Sequence, residues 1–186
     1  MDEMGLLSDV LDKTGGVIAG VGPDQWQQPT PCSEWDVRAL VQHILGWMQV
    51  FDAAANGGEF EGDPAGYAVG DDPAGEFRRF ADSMLGGWRS GGTDRTVRMT
   101  MGELPAPMVL NMTLMEYMTH GWDLATATGQ QVPFSDAEAE QVLERARATL
   151  KPEYRGAGTA MGEEVEAPAD APAVVRLAAF MGRSVS

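Results

Sequence analysis

The stretch Thr30–Trp47, TPCSEWDVRALVQHILGW, decides how the rest of the chain is read. Val37, Leu40, Val41, Ile44 and Leu45 recur at the spacing of one helical face, and the pattern runs on through Met48 to about Ala55. The start is marked as well. Ser33 is a natural N-cap, and Glu34 and Asp36 place negative charge in the first turn, where the helix dipole favours it. His43 shares its face with Leu40, Trp47 and Val50, so an imidazole is turned toward whatever that apolar face packs against.

Working outward, the chain reads as a series of amphipathic helices. Before the opening stretch, Leu6, Leu7, Val10, Leu11, Val17 and Ile18 keep helical spacing, weakened by Gly15 and Gly16, until VGPDQWQQPTP ends it. After it, a loop over about residues 56–73 leads to a third helix carrying Phe77, Phe80, Met84, Leu85 and Trp88, which SGGTD stops. RTVRMTM alternates polar and apolar, as a short strand or extended connector does. A fourth helix is expected over roughly 107–128, with Gly129 just past its end. Ser135 with Glu138 forms a capping box that opens a fifth helix to about Leu150. An irregular tail then leads to a last short helix in APAVVRLAAFMG. The fold class is therefore all-α: a four-helix bundle over 1–130, and a helical extension over 131–186 packed on the same domain.

Composition narrows the function. The chain has 186 residues and a 44% apolar fraction, enough for a real core. Its 13 basic against 28 acidic residues give a net charge of −15, which excludes the basic footprint of nucleic-acid binding and disfavours anionic membrane surfaces. A single cysteine, Cys32, permits no intrachain disulfide and fits a reducing compartment. The start, MDEMGLLSDVLDK, has no basic n-region with an apolar core behind it, and no apolar run approaches a membrane span. A soluble cytoplasmic protein, monomer or homodimer, acting on a small molecule is the expectation.

The chemistry concentrates in LMEYMTHGWDL, residues 114–124. With a helix turning about 100° per residue, Glu116, His120 and Asp123 fall within about 60° of one another on a face shared with Val109 and Met112. Side chains four apart are close enough to bind one ion together. His120 and His43, the chain's two histidines, both point from apolar faces of different helices. Two imidazoles and a carboxylate converging in a bundle interior make a three-ligand site with an open position, the arrangement of a catalytic zinc. The same residues are equally compatible with a buried hydrogen-bonded pair, His120 with Glu116 or with Asp123.

TPCSEWDVRALVQHILGW followed far downstream by EYMTHGWDLATATG resembles the DinB-like metalloenzymes, and within them the branch of the mycothiol-dependent maleylpyruvate isomerases. The closing APADAPAVVRLAAFMGR is similar to the short relatives of that branch, so the resemblance covers nearly the whole chain. It implies an up-down-down-up bundle whose parallel second and third helices need a crossover, which the 56–73 loop is long enough to provide. It also implies the metal ligands His43, Glu116 and His120; many members of the family use three histidines, and the isomerase branch has Glu in the middle position, as here. The isomerase itself carries a further carboxy-terminal domain, whereas about 35 residues follow Leu150 here. What the resemblance implies is thus a metal site and thiol chemistry rather than the maleylpyruvate reaction.

The leading expectation is a metal-dependent enzyme, a thiol transferase or isomerase. A divalent metal, Zn²⁺ first and Ni²⁺, Co²⁺ or Fe²⁺ as alternatives, holds a low-molecular-weight thiol such as mycothiol for isomerisation or conjugation of a small electrophile. The rivals are a non-catalytic metal- or ligand-binding bundle and a metal-dependent hydrolase. Cys32 stands near a helix start, which lowers a thiol pKa, but Glu34 and Asp36 oppose a thiolate, so a buried structural thiol is expected. Six methionines between 99 and 118 suit flexible core packing better than copper(I). Trp35, Trp47 and Trp122 are candidates for core or pocket wall, and Asp123 for an acceptor behind a ligating imidazole or a surface residue. The charge balance makes a direct prediction: the protein passes through a duplex-DNA column at physiological salt, and retention above ordinary salt would contradict the reading.

Overall fold

The computed structural model describes residues 2–33, 35–156 and 162–185. Four long helices form the bundle: α1 (Glu3–Ala19), α2 (Val37–Ala55), α3 (Pro73–Gly91) and α4 (Ala106–Thr128). Between α3 and α4 lies an antiparallel hairpin of β1 (Thr96–Met99) and β2 (Gly102–Pro105), with Val97 opposite Leu104. α5 (Asp136–Thr149) and α6 (Ala173–Phe180) follow and pack on each other and on α4. Single 3₁₀ turns occupy Pro64–Gly66 and Pro152–Tyr154.

The apolar faces legible in the sequence are the faces that meet. Leu6, Leu7, Val10, Leu11, Leu40, Val41, Ile44, Leu45, Met48, Phe77, Met84 and Trp88 are all buried in one core. Side-chain contacts fix the helix directions. Arg145 binds both Glu3 at the start of α1 and Asn111 near the start of α4, while Gln130, just past α4, donates to the Val17 carbonyl near the end of α1. α1 and α4 are therefore parallel. Gly15, late in α1, lies against the Phe77 ring at the start of α3, so those two run antiparallel. Asn56, capping the end of α2, donates to Ser83 in the second half of α3, so α2 and α3 run together. The bundle is all-α and up-down-down-up, and its parallel α2–α3 pair requires the crossover over residues 56–72.

Gly46 records where that crossover lies. A Cβ there would sit 2.0 Å from the Pro64 carbonyl oxygen, so only glycine lets the returning chain rest on the middle of α2. Gln42, one turn earlier, donates to the Ala65 carbonyl at 2.7 Å and pins the same turn. At the end of α4, Gly129 takes the left-handed conformation at φ 67° and terminates the helix as its position suggested.

One local expectation is corrected and another is extended. The N-cap of α2 is Asp36, whose carboxylate accepts from the Ala39 amide at 2.8 Å, and not Ser33. The reason is a tight loop before the helix. The Thr30 hydroxyl donates to the Trp35 carbonyl at 2.8 Å, and the Trp35 amide donates to the Cys32 carbonyl, which holds Ser33 inside the loop. Glu34 lies outside the described residues. RTVRMTM does hold a short strand, β1, and a second strand that the sequence did not announce pairs with it, because Gly102 at φ 116° allows the chain to reverse immediately after Met99. No helix among the described residues is long and apolar enough to cross a membrane.

The capping box of α5 forms as expected, and it does more than cap. Glu138 accepts from the Ser135 amide at 2.8 Å and from Lys13 of α1 at 2.6 Å, tying α5 to the bundle. Burial pushes this carboxyl up, and the Lys13 and Ser135 hydrogen bonds outweigh that and hold it below its ordinary 4.5. A carboxyl held low in the fold stabilises above its unfolded pKa and stops stabilising as pH falls through the folded one. Glu138→Gln should therefore cost about 1–3 kcal/mol at pH 7. In urea melts the gap from the parent should narrow steadily below pH 4.5.

Candidate metal centre

α4 is the central helix of the molecule, touching α1, α2, α5 and α6. It is buried nearly all round, so its polar residues must find partners inside. Thr113 and Thr128 do so within the helix, donating to the carbonyls of Val109 and Leu124 at 2.8 and 2.7 Å. Glu116, His120 and Asp123 do so across the core, and they turn toward α2 and the chain's carboxy-terminal segment.

The Glu116 carboxylate lies between the two imidazoles. His43 Nε2 is 2.7 Å from Glu116 Oε1, and His120 Nε2 is 3.5 Å from the same oxygen. The two rings stand edge to face, 4.9 Å between centroids. One potential ligand atom from each of the three residues falls within 4.8 Å of the others, a spacing one cation can bridge. Burial raises the Glu116 carboxyl, but His120, His43 and Arg183 together pull it down to about 2. It is an anion across the physiological range, and so a competent ligand.

Behind His120 the orientation is fixed. Its Nδ1 lies 3.0 Å from Asp123 Oδ2. An ionised carboxylate only accepts, so Nδ1 carries a proton, and it is Nε2 that faces Glu116 and His43. Asp123 is fully buried, which rules out the surface alternative. Its charge is met by Arg183, whose Nη2 and Nε donate to Oδ2 at 2.9 and 3.2 Å. Burial pushes the Asp123 carboxyl up, and His120 and Arg183 outweigh it.

The three residues line one end of a cavity of ≈ 200 Å³. Trp35, delivered by the loop before α2, packs its ring 4.3 Å from that of His43. Trp47 and Phe51 continue the wall along α2. Of the methionines singled out, Met101, Met112 and Met115 reach the cavity, Met99 and Met118 are buried in the core, and Met108 is exposed. Trp122 is core. Cys32 is half-buried at the cavity rather than fully buried, and it forms a second close group with His120 and Asp123.

Sequence reasoning missed Arg183, Met181 and Thr119. Arg183 and Met181 stand at the end of the segment VVRLAAFMGR, which brings them back beside α4, and the lone arginine after the apolar run was the available signal. Thr119 carried no signal, since threonines on α4 mostly satisfy themselves.

Known proteins share this arrangement of chain. The model of the mycothiol maleylpyruvate isomerase N-terminal domain matches residues 7–125, which includes His43, Glu116 and His120. An uncharacterized protein of Mycobacterium tuberculosis, in strains CDC 1551 / Oshkosh and ATCC 25618 / H37Rv, is 33% identical over 188 residues, covering all of both chains. The crystal structure of a histidine-to-alanine mutant of the mycothiol-dependent maleylpyruvate isomerase superposes with a TM-score of 0.64 at 14% identity, covering 86% of this chain and 72% of that one. That likeness is one of fold, and it agrees with the helix directions found above. The match over all four helices of the bundle settles the kinship: the chain belongs to the mycothiol maleylpyruvate isomerase N-terminal domain family.

Proposed function

We propose that His43, Glu116 and His120 hold a divalent metal ion, Zn²⁺ before Ni²⁺, Co²⁺ or Fe²⁺, and that the protein uses it to activate a mycothiol-like thiol against a small electrophile. The observation that carries the proposal is the geometry of His120. Asp123 holds its Nδ1 proton, so Nε2 is presented toward a buried carboxylate and a second imidazole from another helix. Two nitrogens and one oxygen, with a cavity on the fourth side, are the donor set of catalytic zinc sites.

An ion held there would supply a Lewis-acidic position at which a thiol loses its proton at neutral pH. The chain's own residues do the rest. Asp123 and Arg183 keep the His120 ring from turning, Glu116 stays ionised, and Trp35 and Trp47 exclude water from the side of His43. The family supports a thiol as the nucleophile and a small molecule as its target, with isomerisation or conjugation as the outcome.

His43→Ala, Glu116→Ala and His120→Ala should each lose most bound metal while circular dichroism stays helical. Asp123→Asn should weaken metal binding about 10–100-fold. Full metal content in His43→Ala would separate the two helices' contributions and end the shared-site reading. By calorimetry, a low-molecular-weight thiol should bind the metal-loaded protein and not the chelated one. Equal binding to both forms would remove the metal from thiol capture.

A further inference from the structure

Four methionines bring their side chains to the cavity, and they do not stand alike. Met112 and Met115 come from α4, and Met181 follows α6. Met115 and Met181 are each 3% exposed, and Met112 is half-buried. Met101 is 61% exposed, the most of any methionine among the described residues, and yet it lines the same cavity. It is therefore the thioether at the mouth, with one part against the cavity and the rest in water.

The hairpin puts it there. Val97 and Met99 of β1 are buried, so that strand is anchored on the bundle. Thr100 and Met101 make the reversal, and Gly102 at φ 116° lets β2 return. All of residues 100–103 are exposed. A side chain at such a tip can change its chemistry without disturbing the core, which a buried methionine cannot do.

Oxidation of a thioether requires the oxidant to reach the sulfur. Hydrogen peroxide gives one oxygen atom to the sulfur and leaves as water, and a flexible apolar side chain becomes a polar sulfoxide. Met101 is the methionine most open to this, whereas Met48, Met84 and Met118 are fully buried. Met108, 36% exposed at the start of α4, is not part of the cavity lining, so its oxidation leaves the cavity unchanged. At Met101 the same change replaces apolar rim with a group that holds water. The wall behind it is chiefly aromatic and thioether, with Trp35, Trp47 and Phe51 beside Met112 and Met115. An apolar occupant touching the rim loses a favourable contact and has to strip water from the new oxygen.

We propose that Met101 is a reversible oxidation site at the entrance of the cavity, and that its sulfoxide shuts out apolar ligands while leaving the fold intact. The proposal concerns access to the cavity. It goes beyond the metal and thiol reading and does not need it.

The test uses ethylbenzene as the apolar probe, since the cavity's ≈ 200 Å³ exceeds the ~150 Å³ that admits benzene. Binding is read from tryptophan fluorescence, because Trp35 and Trp47 form the wall. The full chain is treated with hydrogen peroxide and then with dithiothreitol, which reduces a sulfenic acid or disulfide at Cys32 and leaves methionine sulfoxide in place. Peptide mass mapping should find Met101 oxidised before any other described methionine. The treated protein should bind ethylbenzene about fivefold weaker or worse and melt where the untreated protein melts. The two methionine sulfoxide reductases, one for each epimer, should restore binding. Met101→Leu should bind ethylbenzene and keep its affinity through the same treatment, although it carries the same Cys32. No ethylbenzene binding to the untreated protein overturns the entrance. Binding unchanged by oxidation, or an equal loss in Met101→Leu, overturns the role of Met101. Another described methionine oxidised first, or a lowered melting point, places the effect in the core and does the same. Binding that the reductases do not restore overturns reversibility. Metal content, which tests the other reading, enters none of these outcomes.

Discussion

Glu116 is a carboxylate inside a helical core, and the rest of the architecture answers to it. An ion buried among apolar side chains is costly unless opposite charge or hydrogen bonds surround it. No neighbour one or two positions away on α4 can do this, because such positions point elsewhere on the helix. His120 reaches it from one turn along, and His43 must come from another element. That demand sets α2 antiparallel against α4. Ala55 at the far end of α2 accepts from Arg95, whose carbonyl in turn accepts from the first amide of α4. α3 runs parallel to α2 and is therefore reached by a crossover, and Gly46 is the local mark of it, a missing side chain where the crossover rests.

A second layer of constraint comes from the far end of the chain. Asp123 would be a buried anion competing with Glu116 for His120 if Arg183 did not neutralise it. Arg183 is therefore positioned by the elements that follow α4, α5 and α6 among them. α5 is clipped to α1 through Glu138 and Lys13, α6 packs on α5, and Arg155 bonds the Phe180 carbonyl at the last turn of α6. The carboxy-terminal segment is thus part of the same electrostatic unit as the α2–α4 pair, although it lies outside the stretch matched by the family. In the sequence the two are separated by 60 positions, between Asp123 and Arg183.

Much of this was legible in the residues, for identifiable reasons. Helices α1, α2, α3 and α5 carry one-sided apolar faces, and a one-sided face states both its period and its direction of burial. α4 was legible less through its pattern than through its ends and its Glu–His spacing, since a helix buried all round has no polar side to mark it. The triad could be grouped because both histidines sat on apolar faces, where an imidazole needs a partner. What stayed hidden depends on loops. Ser33 and Asp36 are both good caps, and only the Thr30–Trp35 hydrogen bonds decide between them. The second strand of the hairpin, GELP, has no alternating pattern to announce it. Arg183 offered only the signal of an arginine after an apolar run, because its relevance is set by where the carboxy-terminal segment returns beside α4.

These features also bear on why the site and the fold can be separable. The core drawn from α1, α2, α3 and α4 is continuous without the triad, so the bundle does not depend on an ion for its hydrophobic stabilisation, unlike a small zinc domain. The triad is already satisfied internally, since His43 bonds the carboxylate directly at 2.7 Å. An ion would have to replace that bond, so its affinity is the difference between two good arrangements rather than the filling of a strained gap. An ion held there could therefore leave again, because the protein would resume its own hydrogen bond between His43 and Glu116.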